Sequence, residues 1–237
     1  MSIFLAEFIG TALLILLGNG VVAACLLNKS KAKDSGWIVI TSGWAFAVLI
    51  GAYSVGRFSG AHINPAVSLA LFTIGVITFN QLIVYVAAQF LGAMLGQLLV
   101  VVTYKQHYDE TENTDLVLAT FSTGPAIRNL FYNTITEIIG TFVLVFGILM
   151  IGPHFAKEGS FFTIFIVALL VWSIGLSLGG PTGYAINPAR DLGPRIIHQL
   201  LPLKHKGKSD WGYALVPVIG PLLGGVLAGL AFMALGV

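Results

Sequence analysis

Charge is scarce in this sequence. Asp, Glu, Lys and Arg together supply 9% of its 237 residues, against about a quarter in soluble domains. That scarcity excludes a water-facing globule, and no basic arm for nucleic acid is present. Cysteine is almost absent: Cys25 stands alone, so no internal disulfide can form. The run Val22-Ala23-Ala24-Cys25 has the look of a lipoprotein cleavage site. A signal peptide needs a basic leading region, however, and Met1–Phe8 holds Glu7 but neither Lys nor Arg. The first segment is therefore read as a retained helix with a packed thiol. His107, His154, His198 and His205 are dispersed near loops and segment ends. They form no metal-ligand cluster, and no Ser/His or Asp/Asp pairing stands at a useful spacing. No metal, no cofactor and no enzymatic chemistry are expected.

What the chain has is apolar length. Hydrophobic residues make up 57% of it, and its mean hydropathy is +0.91. The charges collect at 28–34, 105–115, 157–158 and 190–210. Between them lie six stretches long enough to span a bilayer, which takes about 20 helical residues: 3–27, 36–56, 80–103, 130–152, 160–179 and 212–235. Two shorter apolar pieces, 65–75 and 188–199, reach only about 15–18 Å as helices at 1.5 Å per residue. Neither crosses a hydrocarbon core of about 30 Å, but two entering from opposite faces meet near its centre.

The chain also repeats itself. Ala6-Glu7-Phe8-Ile9-Gly10-Thr11 recurs as Thr136-Glu137-Ile138-Ile139-Gly140-Thr141. Gly60-Ala61-His62-Ile63-Asn64-Pro65-Ala66-Val67 recurs as Gly183-Tyr184-Ala185-Ile186-Asn187-Pro188-Ala189-Arg190. A weaker echo joins Gln89–Ala93 to Pro221–Gly225. Each half, 1–103 and 130–237, then holds three spans and one short helix, with the polar segment 104–129 as connector. Three spans is an odd number, so the second half starts on the opposite face. The expected fold is all-α: six membrane helices and two re-entrant half-helices in an inverted repeat, an arrangement that places its site at the midplane.

Pro is favoured as the first residue of a helix, and Asn is among the best residues before it, its side-chain oxygen accepting a backbone N–H. Asn64-Pro65-Ala66 and Asn187-Pro188-Ala189 each read as a capped helix start. With the oxygens committed, the side-chain NH2 groups are left as fixed donors beside two positive dipole ends. Such a point suits the oxygen of a neutral solute and repels a cation. The approaching segments, Gly60–Ile63 (with Ala61 and His62) and Gly183–Ile186 (with Ala185), are expected to expose carbonyl acceptors along a wet passage, since irregular backbone at this depth is tolerated where it lines a cavity. His62 lines that passage or orients its loop. Glu7 and Glu137 are read as carboxylates that hold the re-entrant loops, with proton relay as the sharper alternative. Trp37, Trp172 and Trp211 are read as lipid-facing or packing residues.

Over essentially its whole length the chain resembles the aquaporins and glycerol facilitators, the major intrinsic proteins. The resemblance rests on the paired Asn-Pro-Ala boxes, the repeated Glu-x-x-Gly-Thr starts and the six spans. It implies a right-handed bundle, usually a homotetramer in the cell membrane with both termini cytoplasmic, conducting small neutral solutes and water. It also implies a constriction of Trp44, Gly175, Tyr184 and Arg190. Water-selective relatives usually carry His where Gly175 falls, so a Gly there is expected to leave room for something wider than water, and Asp191 after the Arg looks like the glycerol-conducting branch. Tyr184 departs from the Phe common there, which keeps urea and undissociated lactic acid beside glycerol as candidates. The competing expectation is a proton-coupled transporter using Glu7 or Glu137. One feature opposes the implied orientation: Lys29, Lys31, Lys33, Lys204, Lys206 and Lys208 would face outward, whereas Arg57 and Lys157 are nearly the only basic residues inside, contrary to the positive-inside tendency.

Overall fold

A computed structural model describes residues 1–154 and 160–236, with side-chain detail lacking for 153–161. The described residues form ten helices and no strand. Five are long and apolar enough to cross a membrane: α1 (Ile3–Leu26), α2 (Trp37–Ser59), α4 (Phe79–Thr103), α7 (Leu130–His154) and α10 (Val216–Ala234). The sixth span is α8 (Ser160–Leu178), 19 residues without a charge, about 28 Å at the helical rise. The two short helices are α3 (Pro65–Thr73) and α9 (Pro188–Leu200). The expected spans end within a few residues of these bounds.

Helix ends follow local chemistry. Ser2 caps α1 by accepting the N–H of Leu5 at 3.3 Å. Thr78 and Gln81 close a reciprocal capping box on α4. Gly60 ends α2 in the left-handed region, φ 80°, which costs glycine nothing.

The segment 104–129, expected as a plain polar loop, is a built cap instead. It contains α5 (Lys105–Asp109) and α6 (Thr114–Ala119). It also buries Tyr108, Val117 and Phe121 against Ala23, Leu27, Val100 and Ile197. Most of its residues are polar, so its sequence reads as a loop, although Tyr108, Val117 and Phe121 are buried.

Packing depends on glycine. α1 pairs with α4, and α7 with α10. A Cβ on Gly92 would lie 2.3 Å from the Phe8 carbonyl oxygen, and one on Gly224 2.4 Å from that of Ile138. Bare backbone there lets the helix axes approach closely, as small residues do throughout membrane bundles. The halves also interlock. Half-helix α3 rests on α10 of the other half, where a Cβ on Gly225 would meet the Ala66 carbonyl oxygen at 2.6 Å. Half-helix α9 rests on α4, where a Cβ on Gly193 would meet the Ala93 methyl at 2.9 Å.

Gly92→Ala and Gly224→Ala are expected to push these helix pairs apart at a cost of about 1–3 kcal/mol each, the usual range for overpacking. A lowered unfolding temperature in detergent, read by loss of the monodisperse size-exclusion peak, checks this for each variant.

Candidate functional site

The site begins with two carboxylates. Glu7 on α1 and Glu137 on α7 are fully buried. Glu7 Oε1 accepts the Ser59 hydroxyl at 2.6 Å and the N–H of His62 at 3.0 Å, and its Oε2 accepts the N–H of Ile63 at 2.7 Å and the Gln89 amide at 2.8 Å. Glu137 repeats the pattern. Its Oε1 accepts the Thr182 hydroxyl at 2.7 Å and the N–H of Ala185 at 3.0 Å, and its Oε2 accepts the N–H of Ile186 at 2.8 Å. Backbone N–H groups and one hydroxyl face each group, joined at Glu7 by the Gln89 amide, a set that fits an ionised carboxylate.

The loops so held are strained. Gly60, Ala61 and Ile63 have φ of 80°, 51° and 42°, and Gly183, Tyr184 and Ile186 have 79°, 39° and 42°. For the four non-glycine residues that region costs about 1–3 kcal/mol each, so it persists because the carboxylates and their hydroxyl partners over-determine it. The glycine of the Glu-x-x-Gly repeat completes the device. A Cβ on Gly10 would meet Ile63 Cγ2 at 2.9 Å, and one on Gly140 would meet Ile186 Cγ2 at 3.1 Å. Ser59 and Thr182, which escaped the sequence reading, lie one residue upstream of the repeat as it was drawn. A hydroxyl in both copies was the available signal.

Asn64 Oδ1 accepts the N–H of Ala66 at 2.9 Å, and Asn187 Oδ1 accepts those of Ala189 and Arg190 at 3.0 and 3.2 Å. Pro65, Ala66, Pro188 and Ala189 are the buried first turns behind these caps. The NH2 groups differ from expectation. Asn64 Nδ2 donates to the Ile186 carbonyl at 2.8 Å, and Asn187 Nδ2 donates to the Ile63 carbonyl at 2.9 Å. Each asparagine is thus tied to the other box, and one N–H of each pair is left for the passage. The same bonds engage the Ile63 and Ile186 carbonyls, which the sequence reading had left free.

Both asparagines line a cavity of about 80 Å³ together with Ala61, His62, Ile63, Ala185 and Ile186, Trp44, Tyr184 and Arg190. The opposite wall is apolar, with Leu14, Val48 and Leu144 among its members. Gly183 and Gly175 do not line it. The expectation that Gly175 leaves room for a wider solute needs correcting, because the Tyr184 ring fills that room. A Cβ on Gly175 would stand 2.8 Å from Tyr184 Cζ, and one on Gly179 2.5 Å from Tyr184 Cδ1. Trp44 is seated the same way on α1, 2.3–2.5 Å from where a Gly18 Cβ would be. Arg190 lies over the Trp44 ring, 4.3 Å from its centre, a cation–π contact that occupies one face of the indole. Arg190 also donates to the Phe121 carbonyl at 3.5 Å.

Asp191 does not pair with Arg190. Its Oδ1 accepts Arg195 Nε at 2.9 Å, and its Oδ2 accepts the Thr123 N–H and hydroxyl, both at 2.7 Å. Arg195 is fully buried and also donates to the carbonyls of Thr123, Ser209 and Asp210. It ties α9 to the caps on either side, and nothing in the repeat pointed to it because the first half has no counterpart. His62 is near Ser68 Oγ through Nδ1 at 3.0 Å and stacks on Tyr85 at 3.9 Å. It is thus both a loop-fixing residue and a lining residue. Trp37, read as lipid-facing or packing, donates its indole N–H to the Gly175 carbonyl at 3.0 Å. Among the described residues no group of three His, Cys, Asp or Glu is placed to hold a metal.

Comparison with known proteins gives one consistent result. The family model of the major intrinsic proteins matches residues 1–232. A Thermotoga maritima protein named "Probable glycerol uptake facilitator protein" is 56% identical over 227 residues, covering 96% of each chain. The glycerol uptake facilitator protein of Streptococcus pneumoniae is 52% identical over 232 residues, covering 98% of each. That of Bacillus subtilis is 50% identical over 234 residues, 99% of this chain and 85% of its own. Among solved structures, the aquaglyceroporin from Plasmodium falciparum superposes with a TM-score of 0.84 at 29% identity, covering 97% of this chain and 93% of that one.

Glu137→Gln replaces an acceptor by a donor facing backbone N–H groups. It is expected to destabilise the protein by about 1–3 kcal/mol, the penalty of an unsatisfied buried group, and to reduce flux through loosened loops. Thermal melting together with vesicle flux checks both effects, and Glu137→Asp, which keeps the charge, should recover part of each.

Proposed function

The chain belongs to the major intrinsic protein family, and from that premise we propose that it is a passive channel for glycerol and similarly small uncharged solutes. Its curated relatives are named as glycerol uptake facilitators, and their likeness extends over nearly the whole length. The observation that carries the reading is the cavity itself: Asn64 and Asn187 from two abutting helix starts, tied crosswise, on one continuous lining with Trp44, Tyr184 and Arg190.

In this reading the free N–H of each asparagine donates to a solute hydroxyl at the centre. The carbonyls of the left-handed segments, among them those of Ala61 and Tyr184, accept from it, and the apolar wall slides along its carbon edge. Replacement hydrogen bonds lower the cost of leaving water, while helix-start dipoles and Arg190 oppose cations and hydronium. Arg190, with Trp44 and Tyr184, forms the constriction, and Gly175 contributes by seating Tyr184. His62 holds its own loop. Residues 1–103 and 130–237 act as the two repeats, joined by 104–129. We read the assembly as a homotetramer in the cell membrane with cytoplasmic termini.

A proton-coupled transporter is disfavoured by the partners of Glu7 and Glu137, whose oxygens are all occupied by donors from the loops and their neighbours. In reconstituted vesicles, glycerol flux is expected to follow its own gradient, unaltered when a proton gradient is collapsed. Flux that falls with the proton gradient overturns the channel reading. Arg190→Ala should raise entry of larger polyols relative to glycerol by about 3–10-fold, the worth of one or two lost hydrogen bonds. An unchanged solute ranking in stopped-flow light scattering removes Arg190 from the filter.

Orientation is tested separately. The lysine-rich loops share an end with 104–129, since Lys29 pairs with Glu110 and Lys204 donates to the Asp109 carbonyl. A protease site introduced within 112–114 should be cut on intact cells. Protection there places this end in the cytoplasm.

A further inference from the structure

Tyr184 is held from behind by groups that never touch the passage. Its ring rests on Gly175 of α8 and on Gly179, just past the end of that helix. Its third neighbour is Trp37, on the first turn of α2, which meets it edge-on at 5.9 Å and 79°. Trp37 also donates its indole N–H to the Gly175 carbonyl, three residues before the end of α8, where carbonyls run out of helical partners. A Cβ on Gly179 would lie 2.8 Å from Trp37 Cζ2 and 2.5 Å from Tyr184 Cδ1, so the two rings share one notch at the end of α8. Trp37 is 40% exposed and outside the cavity lining. The α2 start that carries it has no side-chain cap. The Tyr184 hydroxyl is buried beside Gly175, with no hydrogen-bond partner among the described residues.

We propose that Trp37 is a specificity-positioning residue, setting the width of the constriction from outside it by fixing where the Tyr184 ring stands. An aromatic ring on two glycines has an open notch to slide along. The indole closes that notch on one side and anchors its floor through the Gly175 carbonyl. Without the indole, the Tyr184 ring moves outward into the space the indole leaves. The constriction then widens on the Tyr184 side. This inference rests on the channel reading above.

The test uses the full-length protein in vesicles, with water, glycerol, erythritol and xylitol as probes. In Trp37→Ala the ratio of erythritol to glycerol permeability is expected to rise about 3–10-fold, the scale of one or two lost contacts. Trp37→Phe keeps the edge contact but loses the N–H and should show a smaller rise. In a Tyr184→Ala background, Trp37→Ala should change the ratio no further, because its target is gone. Equal scaling of all four permeabilities in Trp37→Ala, or an effect that persists undiminished without the Tyr184 ring, overturns the proposal. If Trp37→Ala does not fold, Trp37→Phe decides: an unchanged erythritol-to-glycerol ratio in Trp37→Phe sinks the proposal. Wild-type vesicles that fail to pass glycerol refute the channel reading instead.

Discussion

Two buried carboxylates govern the rest of this structure. A loop that enters a membrane and turns back must present its polar backbone to protein or to water. Here it must also hold isoleucines at positive φ, which a β-branched residue resists. Glu7 and Glu137 meet both demands at once by accepting two successive N–H groups of each loop. The planar peptides that donate these N–H groups turn their carbonyls, those of Ala61, His62, Tyr184 and Ala185, away from the carboxylates. Chain direction does the remainder: with Ile63 and Ile186 fixed, the asparagines that follow stand within reach of each other's loop and tie the halves together.

The halves are alike in this frame and different around it. Behind the first box stand His62, Ser68 and Gln89, a neutral set linked by hydrogen bonds, with Gln89 also donating to Glu7. Behind the second, four residues after its asparagine as Ser68 is after Asn64, stands Asp191, neutralised by Arg195 and bonded to Thr123. An unpaired buried charge is costly, and a buried pair is tolerated when its remaining sites are filled. Arg195 meets that condition with three backbone carbonyls besides the carboxylate. The second half therefore uses its buried charge to tie the caps to α9, next to Arg190, while Glu7 is the only buried charged residue of the first half.

Much of this was legible in the sequence, and the limits are physical. Span number and the two half-helices follow from apolar length alone, and the caps follow from Asn-Pro. The Glu-x-x-Gly repeat signalled that something was duplicated, but its meaning needed coordinates, because Gly10 and Gly140 act by leaving space for Ile63 and Ile186. The same holds for Gly18, Gly175 and Gly179. A glycine that seats an aromatic ring looks in sequence like any other small residue of a membrane helix. Gly175 was accordingly read as an opening when it is a seat. The asparagine NH2 groups were read as wholly free because single-chain reasoning treats each cap alone, and the crossed bonds join residues more than a hundred positions apart. Trp37 at a helix start resembles an interfacial anchor, and only its indole N–H on the Gly175 carbonyl separates the two roles.

The carboxylates also decide between a channel and a carrier. Coupled transport requires a group that gains and loses a proton in each cycle, with partners that rearrange as it does. Protonating Glu7 or Glu137 would turn one acceptor oxygen into a donor opposed by the backbone N–H already committed to it. The loops would then lose the contacts that keep four non-glycine residues left-handed. What would move is the passage wall itself, and with it both crossed asparagine bonds. A site built this way gains by standing still: its polar groups are oriented before the solute arrives, and no step of permeation needs them to change partner. The features that make the loops rigid are thus the same features that make the passage passive.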